Sequence, residues 1–180
     1  MPAMIRHSLA LVLLFTFPAE VRAQAPTDTS VATARRVFDF LIGSWRVTSY
    51  QDIAGVRASE GETYTFEKNL NGVLISGRWH FNRGSPEKPD FTDAVYYSGY
   101  DNRSRIWNFY YVSPQSAQYW PGELKDGRWY FINTFPLEGR TLVQRQWWEP
   151  VDQVTVRRHI ENSWDDGATW TPFIITLKRQ

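Results

Sequence analysis

Within VRRHIENSW, residues 156–164, an arginine, a histidine and a glutamate recur at every second position as Arg157, His159 and Glu161. In an extended chain alternate side chains share a face, so these three form one row. A histidine next to a carboxylate can move a proton near neutral pH or fix an oxygen-bearing ligand. His159 and Glu161 are therefore the candidate catalytic residues. The opposite row is Val154, Val156, Arg158 and Ile160. Ordinary packing buries the valines and leaves His159 in solvent, because burying the polar row requires its charges to be paired. With the polar row inward, it would share a cavity with Arg145, which alternates with Val143 and Trp147.

Aromatic residues supply the rest of a candidate cavity. The chain holds nine tryptophans, all between Trp45 and Trp170, beside 9 tyrosines and 11 phenylalanines. Alternation gives the apolar faces Val73/Ile75/Trp79/Phe81, Trp107/Phe109/Tyr111, Trp129/Phe131 and Val143/Trp147. Tyr111, Arg145, Trp147 and His159 are the expected ligand contacts, with Trp79 and Trp107 as walls.

Several chemistries find no support. Cysteine is absent, which removes thiol catalysis, disulfides and Cys-ligated zinc. Two histidines, His80 and His159, follow residue 23, too few for a multi-histidine metal centre, so no metal and no cofactor is expected. No nucleophile elbow, HExxH, P-loop or dinucleotide fingerprint occurs. SWDDGATW, residues 163–170, fits S-x-D-x-G-x-T-W, the Asp-box pattern of sialidase propellers. Its parts are those of a tight turn: Asp165 to accept backbone N–H groups, Gly167 for a positive φ, Trp170 to pack beneath. One copy in a short chain predicts a structural hairpin turn, not a glycosidase.

The elements that must position these residues read as strands. After Gly43 the apolar period is two, through SWRVTSYQ, GETYTFEK, GVLISGRWHF, DAVYYSGY, RIWNFYYV, GRWYFIN, TLVQRQWWE, QVTVRRHIENS and ATWTPFIITLK. Turn residues separate them, among them Asn71-Gly72, Asp126-Gly127 and Glu138-Gly139. The pattern predicts an all-β fold: a single antiparallel up-and-down barrel of about nine or ten strands, preceded by one short helix or turn, with a sandwich as second choice. Residues 82–91, NRGSPEKPDF, read as a loop at one mouth.

Upstream, Arg6 and His7 precede the apolar run 8–17, SLALVLLFTF, and small residues follow at Ala23 and Ala25. This order predicts a signal peptide over 1–23, a polar flexible segment over 24–36, a barrel domain over 37–180, and a periplasmic or secreted protein. Its apolar run is shorter than the ~20 residues of a membrane span, so no transmembrane segment is expected after cleavage. Losing Arg6, Arg22 and Glu20 brings the net charge from +1 to zero, and no nucleic-acid partner is expected.

DFLIGSWRV, residues 39–47, resembles the G-x-W motif of the calycin superfamily, which includes lipocalins and fatty-acid-binding proteins. With VRRHIENSWDDGATW, residues 156–170, the chain resembles a group of secreted bacterial lipocalin-like proteins of unassigned function. The resemblance implies that Gly43 ends a short helix or turn and that Trp45 packs across a closed barrel end. It also implies a basic residue of a late strand stacked on Trp45, for which Arg157, Arg158, Lys178 and Arg179 all qualify. Two functions then compete. One is binding of a small, largely apolar or amphipathic molecule; the other is a barrel enzyme of cyclase or isomerase type acting on a polyketide- or terpenoid-like substrate. A filled barrel used only as an interaction surface is the third class.

Overall fold

The computed structural model describes residues 31–85 and 87–180. The signal peptide expected over 1–23 lies outside the described residues. A single helical turn α1 (Val31–Ala34) and a 3-10 turn (Asp39–Leu41) precede the strands. The strands are β1 (Gly43–Asp52), β2 (Gly55–Ala58), β3 (Thr63–Asn69), β4 (Leu74–Asn82), β5 (Phe91–Asp101) and β6 (Ile106–Ser113). They continue as β7 (Ser116–Lys125), β8 (Arg128–Leu137), β9 (Arg140–Pro150), β10 (Thr155–Ser163) and β11 (Thr171–Arg179).

From β3 onward each strand pairs antiparallel with the next, and β1 pairs with both β3 and β11. Ten strands thus close an up-and-down barrel, and the sandwich is excluded by the β1–β11 ladder from Trp45↔Arg179 to Gln51↔Ile174. The eleventh strand, β2, pairs only with the second half of β1. It and β3 act as one long arm interrupted at Ser59–Glu62, where the ladder persists through Val47 N–H to Glu62 O and Ser59 N–H to Thr48 O.

The hairpins follow from turn chemistry. Asp126-Gly127 and Glu138-Gly139 all have positive φ (52°, 75°, 52° and 73°), the twist that suits two-residue hairpins. They join Lys125↔Arg128 and Leu137↔Arg140. Strand β7 changes partner at Gly122: Ser116–Pro121 pair with β6, Gly122–Lys125 with β8.

One end of the barrel is plugged. Phe38 and Leu41 are buried, and Phe38 meets the Trp107 ring edge-on at 5.0 Å. The Trp107 indole donates to Ala34 O at 3.1 Å, which docks α1, while residues 24–30 of the segment expected to be flexible lie outside the described residues. Trp45 is 1% exposed and its indole donates to Leu41 O. Of the four basic candidates, Arg179 lies over the Trp45 ring, 4.2 Å from its centroid, and donates to Ile42 O and Phe40 O. Gly43, at φ 122°, is the chain's answer to that arginine: a Cβ there would sit 2.7 Å from Arg179 Nη1.

In β1 Trp45 and Val47 point inward, and a bulge between Val47 and Ser49 switches the parity, so Tyr50 is the next buried residue. One expected face differs. In β9 the inward side chains are Leu142, Gln144, Gln146 and Trp148, not Val143, Arg145 and Trp147.

Candidate functional site

The end opposite the plug opens into a cavity of about 410 Å³. Its walls come from the last residues of β4 (Trp79, Phe81), β6 (Tyr111) and β10 (Ile160), and from β7 (Trp120) and β8 (Phe135). Alternation puts them there, each being an inward position of its strand. Gln118, Gln144 and Gln146 add amide groups. Trp79 stacks on Phe81 at 4.2 Å and on Tyr64 at 5.3 Å, which fixes its ring against the wall.

The floor is formed by Arg158, only 5% exposed. Nε and Nη2 both donate to Gln146 Oε1, at 3.0 and 2.6 Å. Nη1 donates to the phenol oxygens of Tyr64 and Tyr96, each at 3.0 Å. The rings of Trp79, Tyr96 and Trp148 stand 5.7, 5.4 and 5.4 Å from the guanidinium carbon. Burial pushes the Tyr64 and Tyr96 phenols well above their ordinary range, so both are neutral at physiological pH. A guanidinium stays charged. Arg158 is thus a buried cation held by dipoles and ring faces, and no carboxylate among the described residues pairs with it.

That arrangement costs stability. Withdrawing a charge from water carries a penalty of several kcal/mol, recovered best by an opposite charge. A guanidinium has five N–H donors, and four hydrogen bonds are formed, so one donor on Nη2 is spare. The indole N–H groups of Trp79 and Trp120, whose rings line the same cavity, are buried without an acceptor. The cavity therefore gathers one positive charge and a spare guanidinium N–H beneath aromatic walls. Chemically, it suits an acceptor-rich, negatively charged group attached to an apolar body.

The residues singled out in the sequence are divided. Trp79 and Tyr111 line this cavity. Trp107 is buried in the plugged end and reaches no open space. Arg145, Trp147, His159 and Glu161 lie on the outer face of β9 and β10, so the polar row does not point inward. The physical reason is that this outer face is covered by its own side chains. His159 stacks on Trp147 at 4.6 Å and 4° and bonds Glu149 at 2.7 Å. Arg128 covers Trp147 at 5.3 Å, and Arg145 pairs with Glu161 at 2.5 Å while lying 4.0 Å over Trp170. Charges on the outer wall pair without being desolvated in the interior, whereas the inner row admits only Arg158.

Trp170 belongs to the Asp-box turn, which is structural. Asp165 accepts the Thr169 N–H and hydroxyl and the Ser163 hydroxyl at 2.7–2.9 Å, while Ser163 Oγ accepts the Gly167 N–H. These bonds hold the Asp165 carboxyl at about 2, and the residue is exposed and outside the cavity lining.

Sequence reasoning missed Arg158, Gln146, Tyr64 and Tyr96 as a set. The available signal was an arginine inside the valine–isoleucine row of β10, facing tyrosines at inward positions of β3 and β5.

No known family's sequence profile matches the chain. No curated protein matches it either. Among solved structures, it is similar to the S-type phycobiliprotein lyase CPES from Guillardia theta, with 14% identity, a TM-score of 0.45, and coverage of 79% of this chain and 90% of that one. The closed up-and-down barrel itself rests on the hydrogen-bond ladder of the chain.

Proposed function

We propose that this protein is an exported binding protein for a small amphipathic molecule whose apolar body lies on Trp79, Tyr111, Trp120 and Phe135 and whose acidic end meets Arg158. The observation that carries the reading is a buried guanidinium with no counterion among the described residues, at the floor of an aromatic cavity. A carboxylate there supplies a counter-charge to a guanidinium already desolvated, so its pairing is worth more than at the surface. The cavity volume of about 410 Å³ falls within the ordinary range for small-molecule sites, roughly 300–1,000 Å³. Export is supported by the basic, apolar and small-residue order of residues 6–25.

Titration of tryptophan fluorescence with decanoate and with decanol tests the reading. Both carry the same apolar chain, so the acid should bind at least about tenfold more tightly, the lower end of what a buried charge pair contributes. Equal affinities, or no saturation by either, would refute it. Decanoate recovered unaltered after prolonged incubation is the outcome expected of a carrier as opposed to a barrel enzyme.

A further inference from the structure

A second polar recess opens away from the Arg158 floor, where the arm formed by β2 and β3 is interrupted. It has a volume of about 550 Å³ and is lined by Tyr50, Arg57 and Ser59–Glu62 on one side and by Asn82, Gly84, Pro89 and Phe91 of the 82–91 loop on the other. The loop is tied at its base by Asn82 Oδ1, which accepts the Gly84 and Asp90 N–H groups at 2.9 and 2.8 Å. Phe91 lies against Gly61, where a Cβ would come within 2.9 Å of its ring, so the two sides of the recess touch at that point.

Glu62 is the unusual group. It is 6% exposed, yet no cation among the described residues pairs with it. The Tyr50 hydroxyl donates to its Oε2. Tyr50 is itself pushed well above the ordinary phenol range by burial and by the Glu62 carboxylate, so it remains a donor. Among the described residues, Oε1 has no hydrogen-bond partner. The nearest cation of the recess, Arg57, lies over the Tyr50 ring at 4.5 Å instead of on the carboxylate. With Glu60 and Glu62 against Arg57, the lining carries a net negative charge.

A buried carboxylate with one satisfied oxygen and no counter-cation lacks what a buried charge most needs. We propose that this recess binds a small primary amine, its ammonium group seated on Glu62 and its carbon chain lying between Tyr50 and the loop. An ammonium supplies three donors and a compact charge, which matches the free Oε1 and the hydroxyls around it. This site is independent of the acid-binding reading of the barrel cavity, with opposite charge and different residues.

The test uses n-butylammonium and n-butanol as probes of equal chain length, with amide signals of Gly61 and Gly84 followed by NMR. The amine should give saturable shifts at both glycines and the alcohol none. Glu62→Gln, which keeps an acceptor for Tyr50 but loses the charge, should weaken the amine at least about tenfold. Arg57→Ala removes a competing cation from the fully exposed strand β2 and should tighten it; because β2 lies outside the ten strands that close the barrel, the variant stays informative even if Glu62→Gln misfolds. Decanoate at saturation should leave the amine titration unchanged, so the two sites succeed or fail separately. Equal shifts with n-butanol, absence of saturation by the amine, or weaker binding in Arg57→Ala would overturn the proposal.

Discussion

Replacing Trp45 by alanine probes the plugged end, on which barrel closure depends. The side chain is 1% exposed, and truncation of a buried tryptophan costs about 3–5 kcal/mol through lost transfer energy and the void left behind. Its indole bond to Leu41 O and the Arg179 guanidinium at 4.2 Å are lost with it. Each is worth about 0.5–1.5 kcal/mol, already partly contained in the truncation figure. For a barrel of this size each kcal/mol moves the midpoint by about 2–4 °C, so a Tm fall of roughly 6–20 °C is expected. The assays are thermal and urea unfolding followed by far-UV circular dichroism, with both midpoints lowered and the urea slope unchanged. Arg179→Gln should cost about 1–2 kcal/mol alone and less once Trp45 is gone, since the cation–π contact then has no partner while the bonds to Ile42 O and Phe40 O are still lost. An unaltered midpoint in Trp45→Ala, or equal effects of Arg179→Gln in both backgrounds, would refute the closure described.

Other consequences can be checked on the same material. His159→Ala should destabilise by about 1 kcal/mol, through loss of its stack on Trp147 and its bond to Glu149, while leaving decanoate affinity unchanged. Loss of decanoate binding in that variant would place the site on the wrong face of β10. Asp165 has a folded pKa of about 2, below its unfolded value of about 3.9, so its contribution is complete above the unfolded value and is lost as pH falls toward 2. Urea midpoints should therefore decline between about pH 4 and 2 more steeply in the native chain than in Asp165→Asn. Parallel declines in the two would show that the turn does not draw on the charge. Gly43→Ala should lower stability by displacing Arg179 from Trp45, visible as a changed Trp45 environment in near-ultraviolet dichroism, whereas an unchanged spectrum would deny the contact.

The barrel was largely legible because its information is local. Asp-Gly and Glu-Gly pairs at 126–127 and 138–139 name hairpins by backbone sign alone, and the alternation of Trp107, Phe109 and Tyr111 or of Ile75, Trp79 and Phe81 survives intact. Gly43 and Trp45 identify the plugged end, but the partner of Trp45 required the β1–β11 register, which pairs Trp45 with Arg179 across the closing seam. The site was less legible. In β9 the adjacent tryptophans Trp147 and Trp148 give no parity signal, because one packs in the core and the other is covered from outside by Tyr130, His159 and Arg128. In β10 each row contains an arginine, and apolar patterning cannot say which cation the interior tolerates. The answer depends on Tyr64, Tyr96 and Gln146 arriving from three other strands, a coincidence set by long-range register.

The central claim is that Arg158 is the counter-charge of the ligand, and calorimetric titration of Arg158→Met with decanoate tests it most directly. Methionine approximates the arginine stem and replaces a buried charge with an apolar side chain, so the barrel should stay folded. Removing one partner of a buried charge pair costs about 2–5 kcal/mol, which corresponds to a loss of affinity of roughly 30- to 5,000-fold, with decanol binding little changed. Decanoate bound by the folded Arg158→Met protein as tightly as by the native chain would contradict the account.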